Sequence, residues 1–172
     1  MVESGLHEIT PSYHKLSDNW TCWAHLPHDT DWTLSSYKTL LEFNEMEPLI
    51  TLNEALPDKM IKNCMLFIMR TGIKPTWEDP KNRNGGCFSY KINNKLVCSA
   101  WKHLNYHLVG NTLTKNKTLL ENITGITISP KKNFCIIKIW VSGCEVQNPE
   151  VVTKIEGLSS YGCLFKKHSP EY

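Results

Sequence analysis

Residues 71–86 constrain this chain more than any other segment. The run Thr71-Gly-Ile-Lys-Pro-Thr-Trp-Glu-Asp-Pro-Lys-Asn-Arg-Asn-Gly-Gly86 is crowded with Gly, Pro, Asn and Asp. Proline removes a backbone donor, glycine costs entropy in any regular element, and Asn and Asp bond to their own backbone, so neither helix nor strand runs through it. Before it stands Met65-Leu-Phe-Ile-Met69, a continuous apolar run of strand length. After it, Phe88, Tyr90 and Ile92 alternate with Cys87, Ser89 and Lys91, the two-residue period of a strand. The chain is therefore committed to a sheet with one very long connection. Loops beyond about 12–15 residues are uncommon in compact domains and often carry function. This one holds Trp77 beside two carboxylates, Glu78 and Asp79.

The other segments extend the same picture. Trp20–Leu26 and Thr33–Phe43 read as strands joined by the turn-rich Pro27-His-Asp-Thr-Asp31, with Trp32 at its far end. Residues 47–56 read as a helix, with Met46, Leu49, Ile50, Asn53 and Leu56 at helical spacing and Pro57 ending it. Ser99 could cap a second helix to Leu108, with Trp101, Leu104 and Leu108 on one stripe and Gly110 past its end. Ile126–Ser129 and Phe134–Ser142 read as strands around a Pro-Lys-Lys-Asn turn, and Cys163–Lys167 as a last short one. Asn148-Pro149 predicts the start of a third helix running to about Gly157. Six or seven strands interleaved with three helices give an α/β or α+β domain. The apolar stripes put the helices on one face of the sheet and leave the other free. Residues 1–13 read as a loose tail ahead of one domain, 14–172.

Composition removes several function classes. The 172 residues carry a net charge of +2, too little to coat nucleic acid by charge alone, so an anionic ligand must meet a local basic cluster. No apolar run approaches the ~20 residues of a membrane span, and Met1–Thr10 lacks a signal-peptide pattern, so an intracellular chain is expected. The seven cysteines form no C-x-x-C pair and are expected reduced and mostly buried. His103 and His107 are four apart on a helix but have no third ligand, and Cys87 has no histidine near it in sequence, so neither metal binding nor catalysis is expected. Six tryptophans are many for this length, and Trp is costly surface unless buried or used for stacking. Trp20, Trp23 and Trp101 are expected in the core.

The motifs point further. Gly72–Gly86 resembles the "G-I-x-P-x-W-E-D-x-x-N-x-x-G-G" loop of the eukaryotic translation initiation factor 4E family. His14-Lys-Leu-Ser-Asp-Asn-Trp-Thr-Cys-Trp23 resembles that family's opening, "H-x-L-x-x-x-W-x-x-W", and Ile137-Lys-Ile-Trp140 its "I-x-I-W" strand. These matches keep the family's order from about residue 14 to 157. The resemblance implies a curved, mainly antiparallel sheet with three helices on its convex face and a cap-binding slot on the concave face. It implies that the protein binds the 7-methylguanosine cap of mRNA to recruit it for translation initiation, as a cytoplasmic (or also nuclear) monomer, without cofactor or enzymatic activity.

Chemistry supports those assignments. Methylation at ring nitrogen 7 gives guanine a delocalised positive charge, which two parallel indoles would sandwich with cation–π attraction. By resemblance the indoles are Trp32 and Trp77, with Trp140 closing the pocket around the methyl group. Glu78 would accept hydrogen bonds from the ring N–H and exocyclic amine of guanine. The phosphates would meet Lys131 and Lys132. Lys138 joins them because it lies two residues before Trp140 and so faces the same way, roughly 7 Å off. Cys87 stands where the family commonly has an arginine, and Ile136 where it has a lysine. The helix face implied for a scaffold partner of the initiation factor 4G type, or for a repressor peptide, comprises His14, Met46, Ile50 and Trp101; Ile50 replaces the family's tryptophan. Two alternatives share these features: a cap-binding repressor of translation, and a protein–protein adaptor with little cap affinity.

Overall fold

The structure, a computed structural model, describes residues 12–168. Its strands are β1 (Lys15–His25), β2 (Tyr37–Glu45), β3 (Met65–Arg70), β4 (Gly86–Asn93), β5 (Ile123–Pro130), β6 (Phe134–Val141) and β7 (Leu164–Lys167). They form one sheet in the order β2-β1-β3-β5-β6-β4-β7, antiparallel at every pairing. The helices are α1 (Met46–Ala55), α2 (Asp58–Asn63), α3 (Val97–Val109) and α4 (Lys117–Asn122). This is the α+β architecture the sequence implies: an open antiparallel sheet with a few helices.

Strand side chains alternate between two faces. One face supplies Trp20, Cys22 and Ala24 from β1, Leu66 and Ile68 from β3, and Phe88, Tyr90 and Ile92 from β4. Ile126, Ile128, Ile137, Ile139 and Val141 complete it. The helices cover this face. Leu49 of α1, Ile61 of α2, Leu119 of α4, and Trp101, Leu104 and Leu108 of α3 pack into the same cluster. Asn105 donates to Asn53 at 3.0 Å inside it, tying α3 to α1. Trp20 and Trp101 are buried here as expected; Trp23, half-buried, lies on the opposite face. All seven cysteines are free, and Cys22, Cys64, Cys87 and Cys135 are buried.

Several local expectations change. The helix expected over 148–157 is a single 3-10 turn, Pro149–Val151. Asn148 does cap it, accepting from the Glu150 amide at 3.0 Å. The β-branched Val151-Val152-Thr153 then continues extended: Val152 bridges Thr114, and the Thr153 amide donates to the Leu113 carbonyl. Two helices that the periodicity does not predict, α2 and α4, are six residues each, too short to show an apolar stripe. Ser99 lies inside α3 rather than capping it; the Asn93 side chain accepts from the Lys95 and Leu96 amides just before the helix. β1 begins at Lys15, and a 3-10 turn, Leu34–Ser36, precedes β2. Most of the expected N-terminal tail, residues 1–11, lies outside the described residues.

Candidate ligand-binding site

The second face of the sheet is laid out in rungs. One rung crosses all seven strands: Lys166, Cys87, Trp140, Gly125, Met69, Thr21 and Glu42. The next carries Leu164, Ser89, Lys138, Thr127, Phe67, Trp23 and Thr39. Trp23, Met65, Phe67, Met69 and Trp140 form a small apolar cluster on it, joined by Tyr37 and Ile73. Among the described residues, no helix contributes to this cluster.

Trp32 reaches this face from the β1–β2 connection. Asp31 fixes its backbone, accepting from the Thr33 amide at 2.8 Å and the Thr33 hydroxyl at 3.0 Å. Those bonds hold the Asp31 carboxyl below the usual carboxylate range. The Trp32 ring lies flat on His25, 4.1 Å between centroids with planes 1° apart. His25 is itself locked: Nε2 donates to the Asp31 carbonyl at 2.7 Å, and its ring meets Tyr37 edge-on. Trp32 is nonetheless 58% exposed, because its outer face is uncovered.

Trp77 stands on the long loop, 41% exposed. Two buried side chains organise that loop. Asp79 accepts from the Lys74 amide at 2.9 Å and the Lys81 amide at 2.8 Å. Asn82, fully buried, donates to the Lys74 and Thr76 carbonyls at 3.2 and 2.9 Å and accepts from the Thr124 hydroxyl at 2.8 Å. The loop closes onto the sheet at Gly85, where a Cβ would fall 1.7 Å from the Val141 carbonyl oxygen. Gly85→Ala is therefore expected to lower stability by about 1–3 kcal/mol, as overpacking does, read as a lower melting temperature.

Glu78 is exposed next to Trp77. Tyr37 registers its position: burial raises that phenol first, and the Glu78 charge raises it further. Tyr37 in turn packs edge-on against both His25 and Phe67, within the aromatic floor that runs from Trp32 toward the Trp140 cluster.

A cleft of about 390 Å³ is lined by Trp77, Cys87, Lys138, Trp140, Lys166, Lys167 and His168. Trp77, Trp140 and Lys138 thus share one cavity. Trp32 lines a separate one of about 230 Å³, with His25, Met65 and Pro130. Lys131 and Lys132 sit on the exposed β5–β6 turn, beyond Pro130, and neither lines the Trp77 cleft. Lys166, Lys167 and His168 were not singled out in the sequence. His168 packs against Trp140 at 4.7 Å, and its Nδ1 donates to the Asn82 carbonyl at 2.9 Å. Burial, countered by that bond, pushes the His168 imidazole below its ordinary value.

On the helix side, His14 is knotted to the start of α1. Its amide and its ring Nδ1 both meet the Glu47 carboxylate, and its carbonyl accepts from the Met46 amide at 2.9 Å. Ile50, one turn on, is 42% exposed. Trp101 is a correction. Only 1% exposed, it lies on the stripe of α3 that packs on the sheet and presents nothing to a partner. Beside α1 runs a groove of about 410 Å³ lined by Tyr13, Leu40, Leu41, Pro48 and Leu52 among others.

The sequence pattern of the Eukaryotic initiation factor 4E family matches residues 15–165. The chain belongs to that family. A translation initiation factor 4E homolog of Acanthamoeba polyphaga mimivirus is 34% identical over 108 residues, covering 60% of this chain and 40% of that protein. Initiation factor 4E-2 of Schizosaccharomyces pombe is 29% identical over 151 residues, 83% of this chain and 58% of that one. The chain thus spans about half the length of these curated relatives. Among solved structures, schistosome eIF4E in complex with m7GpppG and 4E-BP superposes with a TM-score of 0.70 at 21% identity, over 78% of this chain and 75% of that one. Ascaris suum eIF4E-3 with m7G cap gives 0.67 at 18% identity, over 78% and 76%. The initiation factor 4E fold is therefore the fold of this chain.

Proposed function

We propose that this domain binds the 7-methylguanosine cap of mRNA for recruitment in translation initiation, as a binding protein with no catalytic step. The observation that carries the reading is the pair of exposed indoles, Trp32 and Trp77, set on two loops at the helix-free face, with the exposed Glu78 directly after Trp77. The methylated base stacks on the outer face of Trp32 and on Trp77, and Trp140 borders the methyl group. Glu78 accepts from the guanine edge. Lys138 meets the phosphate nearest the base, and Lys131 and Lys132 serve the far end of the phosphate chain.

The helix face favours a second ligand that binds together with the cap. His14, Met46 and Ile50 come together beside α1, and the schistosome neighbour carries a cap analogue and 4E-BP at once. An apolar helical peptide, from a 4G-type scaffold or a repressor, fits this face.

Titration of intrinsic tryptophan fluorescence tests the cap slot. Cation–π attraction is worth about 2 kcal/mol when desolvated, so 7-methyl-GTP should bind roughly thirtyfold more tightly than GTP. Quenching by neither nucleotide at millimolar concentration would remove the cap reading and leave the adaptor role on the helix face.

A further inference from the structure

The family pattern ends at residue 165, but the Trp77 cleft does not. Its wall continues through Lys166, Lys167 and His168, contributed by β7 and the residue after it. Among the described residues, three lysines and an imidazole line this cleft and no carboxylate does. None of the three lysines forms an ion pair among the described residues. Lys166 stands directly across from Cys87, which stands directly across from Trp140. Lys138 lies one rung along on β6, opposite Ser89. Strand spacing puts the Lys138 and Lys166 Cα atoms about 12 Å apart, with the small Cys87 side chain between them. Both charges are felt at the Cys87 thiol, where they oppose the rise that burial imposes. Two lysines thus flank a neutral, low-lying side chain beside the indole of Trp140, with no counter-charge lining the cleft among the described residues. That arrangement suits an anion with several oxygens, entering next to a stacked base.

We propose that Lys166, paired with Lys138 across Cys87, binds phosphate oxygens of the 5′-triphosphate attached to the methylated base. The assignment rests on the cap reading above. It adds β7 as a ligand-binding strand. The phosphates then run across the sheet from β6 toward β7, rather than only along β6 to the Lys131–Lys132 turn.

The test compares 7-methyl-GTP with 7-methylguanosine, which has the base and no phosphate, by fluorescence titration. The proteins are wild type, Lys166→Ala, Lys166→Arg, and Lys117→Ala as a charge control on exposed α4. Hydrogen bonds to charged groups make a loss of about tenfold in 7-methyl-GTP affinity the expected result for Lys166→Ala, with nucleoside binding unchanged. The arginine variant should recover most of the loss, and the control should bind like wild type. Unchanged 7-methyl-GTP affinity in Lys166→Ala would overturn the site while leaving the cap reading standing. An equal loss of nucleoside binding would also overturn it, since the effect would then be on the slot. Wild type that binds neither methylated ligand would remove the cap reading and this site together.

Discussion

Glu78→Gln is expected to weaken 7-methyl-GTP binding by roughly a hundredfold while leaving the melting temperature unchanged. A carboxylate offers two acceptors side by side and a full negative charge to a base that is positively charged. Glutamine keeps the shape but turns one acceptor into a donor, so one guanine N–H meets another N–H. Losing one charge-assisted hydrogen bond and part of the attraction amounts to about 3 kcal/mol, hence the hundredfold. Glu78 is exposed and makes no hydrogen bond among the described residues, so stability should not move. The unliganded protein supplies a second reading. Tyr37 is raised by burial and, secondarily, by the Glu78 charge. Removing that charge leaves the burial contribution and takes away the other, so the Tyr37 phenol should ionise at lower pH in the variant. Alkaline titration of phenolate absorbance measures this directly. A Tyr37 titration identical in both proteins would mean that the Glu78 charge does not reach the Tyr37 phenol.

Asn82→Leu is expected to cost about 3 kcal/mol, lowering the melting temperature by roughly 6–12 °C, and to abolish cap-analogue binding. The leucine is of similar size but leaves the Lys74 and Thr76 carbonyls and the Thr124 hydroxyl without partners in a buried place. Each unsatisfied group costs of order 1–3 kcal/mol, reduced here because the loop can loosen and admit water. That loosening is what removes binding, since the same loop carries Trp77 and Glu78. Thr124→Val removes one of these bonds only and should show a smaller fall with binding retained. Equal effects from the two substitutions would argue that Asn82 matters through packing and not through the loop carbonyls.

The sequence exposed part of this site and hid part for identifiable reasons. Glycine, proline and Asx residues marked the 71–86 loop, and the two-residue period put Lys138 on the face of Trp140. Both signals are local. The roles of Asp79 and Asn82 were within reach, because such residues in a proline-broken loop commonly bond backbone groups a few positions away. The stack of His25 on Trp32 was not. It requires residues 27–31 to fold back over β1, and no pattern within that loop specifies the return. Nor could β7 reveal its cations: four residues on the sheet edge, mostly exposed, show no apolar alternation. Lys166 acquires a partner only because β4 lies between β6 and β7, a pairing that joins residues far apart in sequence. The missing helix after Pro149 has a similar origin, since correct start signals were overridden by pairing with Leu113 and Thr114.

The strand order has a consequence for how the protein is made. β1, β2 and β3 pair among themselves, so the part of the sheet under Trp32 can close once residue 70 has left the ribosome. β4 has no such neighbour. It must wait for β6 and β7, which begin about 40 and 70 residues after it ends. Chains fold from the N-terminus during synthesis at about 5–20 residues per second, and distant pairings form slowly. A nascent chain therefore carries the Trp32 side for several seconds before Trp77 has a sheet to stand on. The two sides of the sheet are therefore completed at different times, and a chain interrupted before β6 has only the Trp32 side in place.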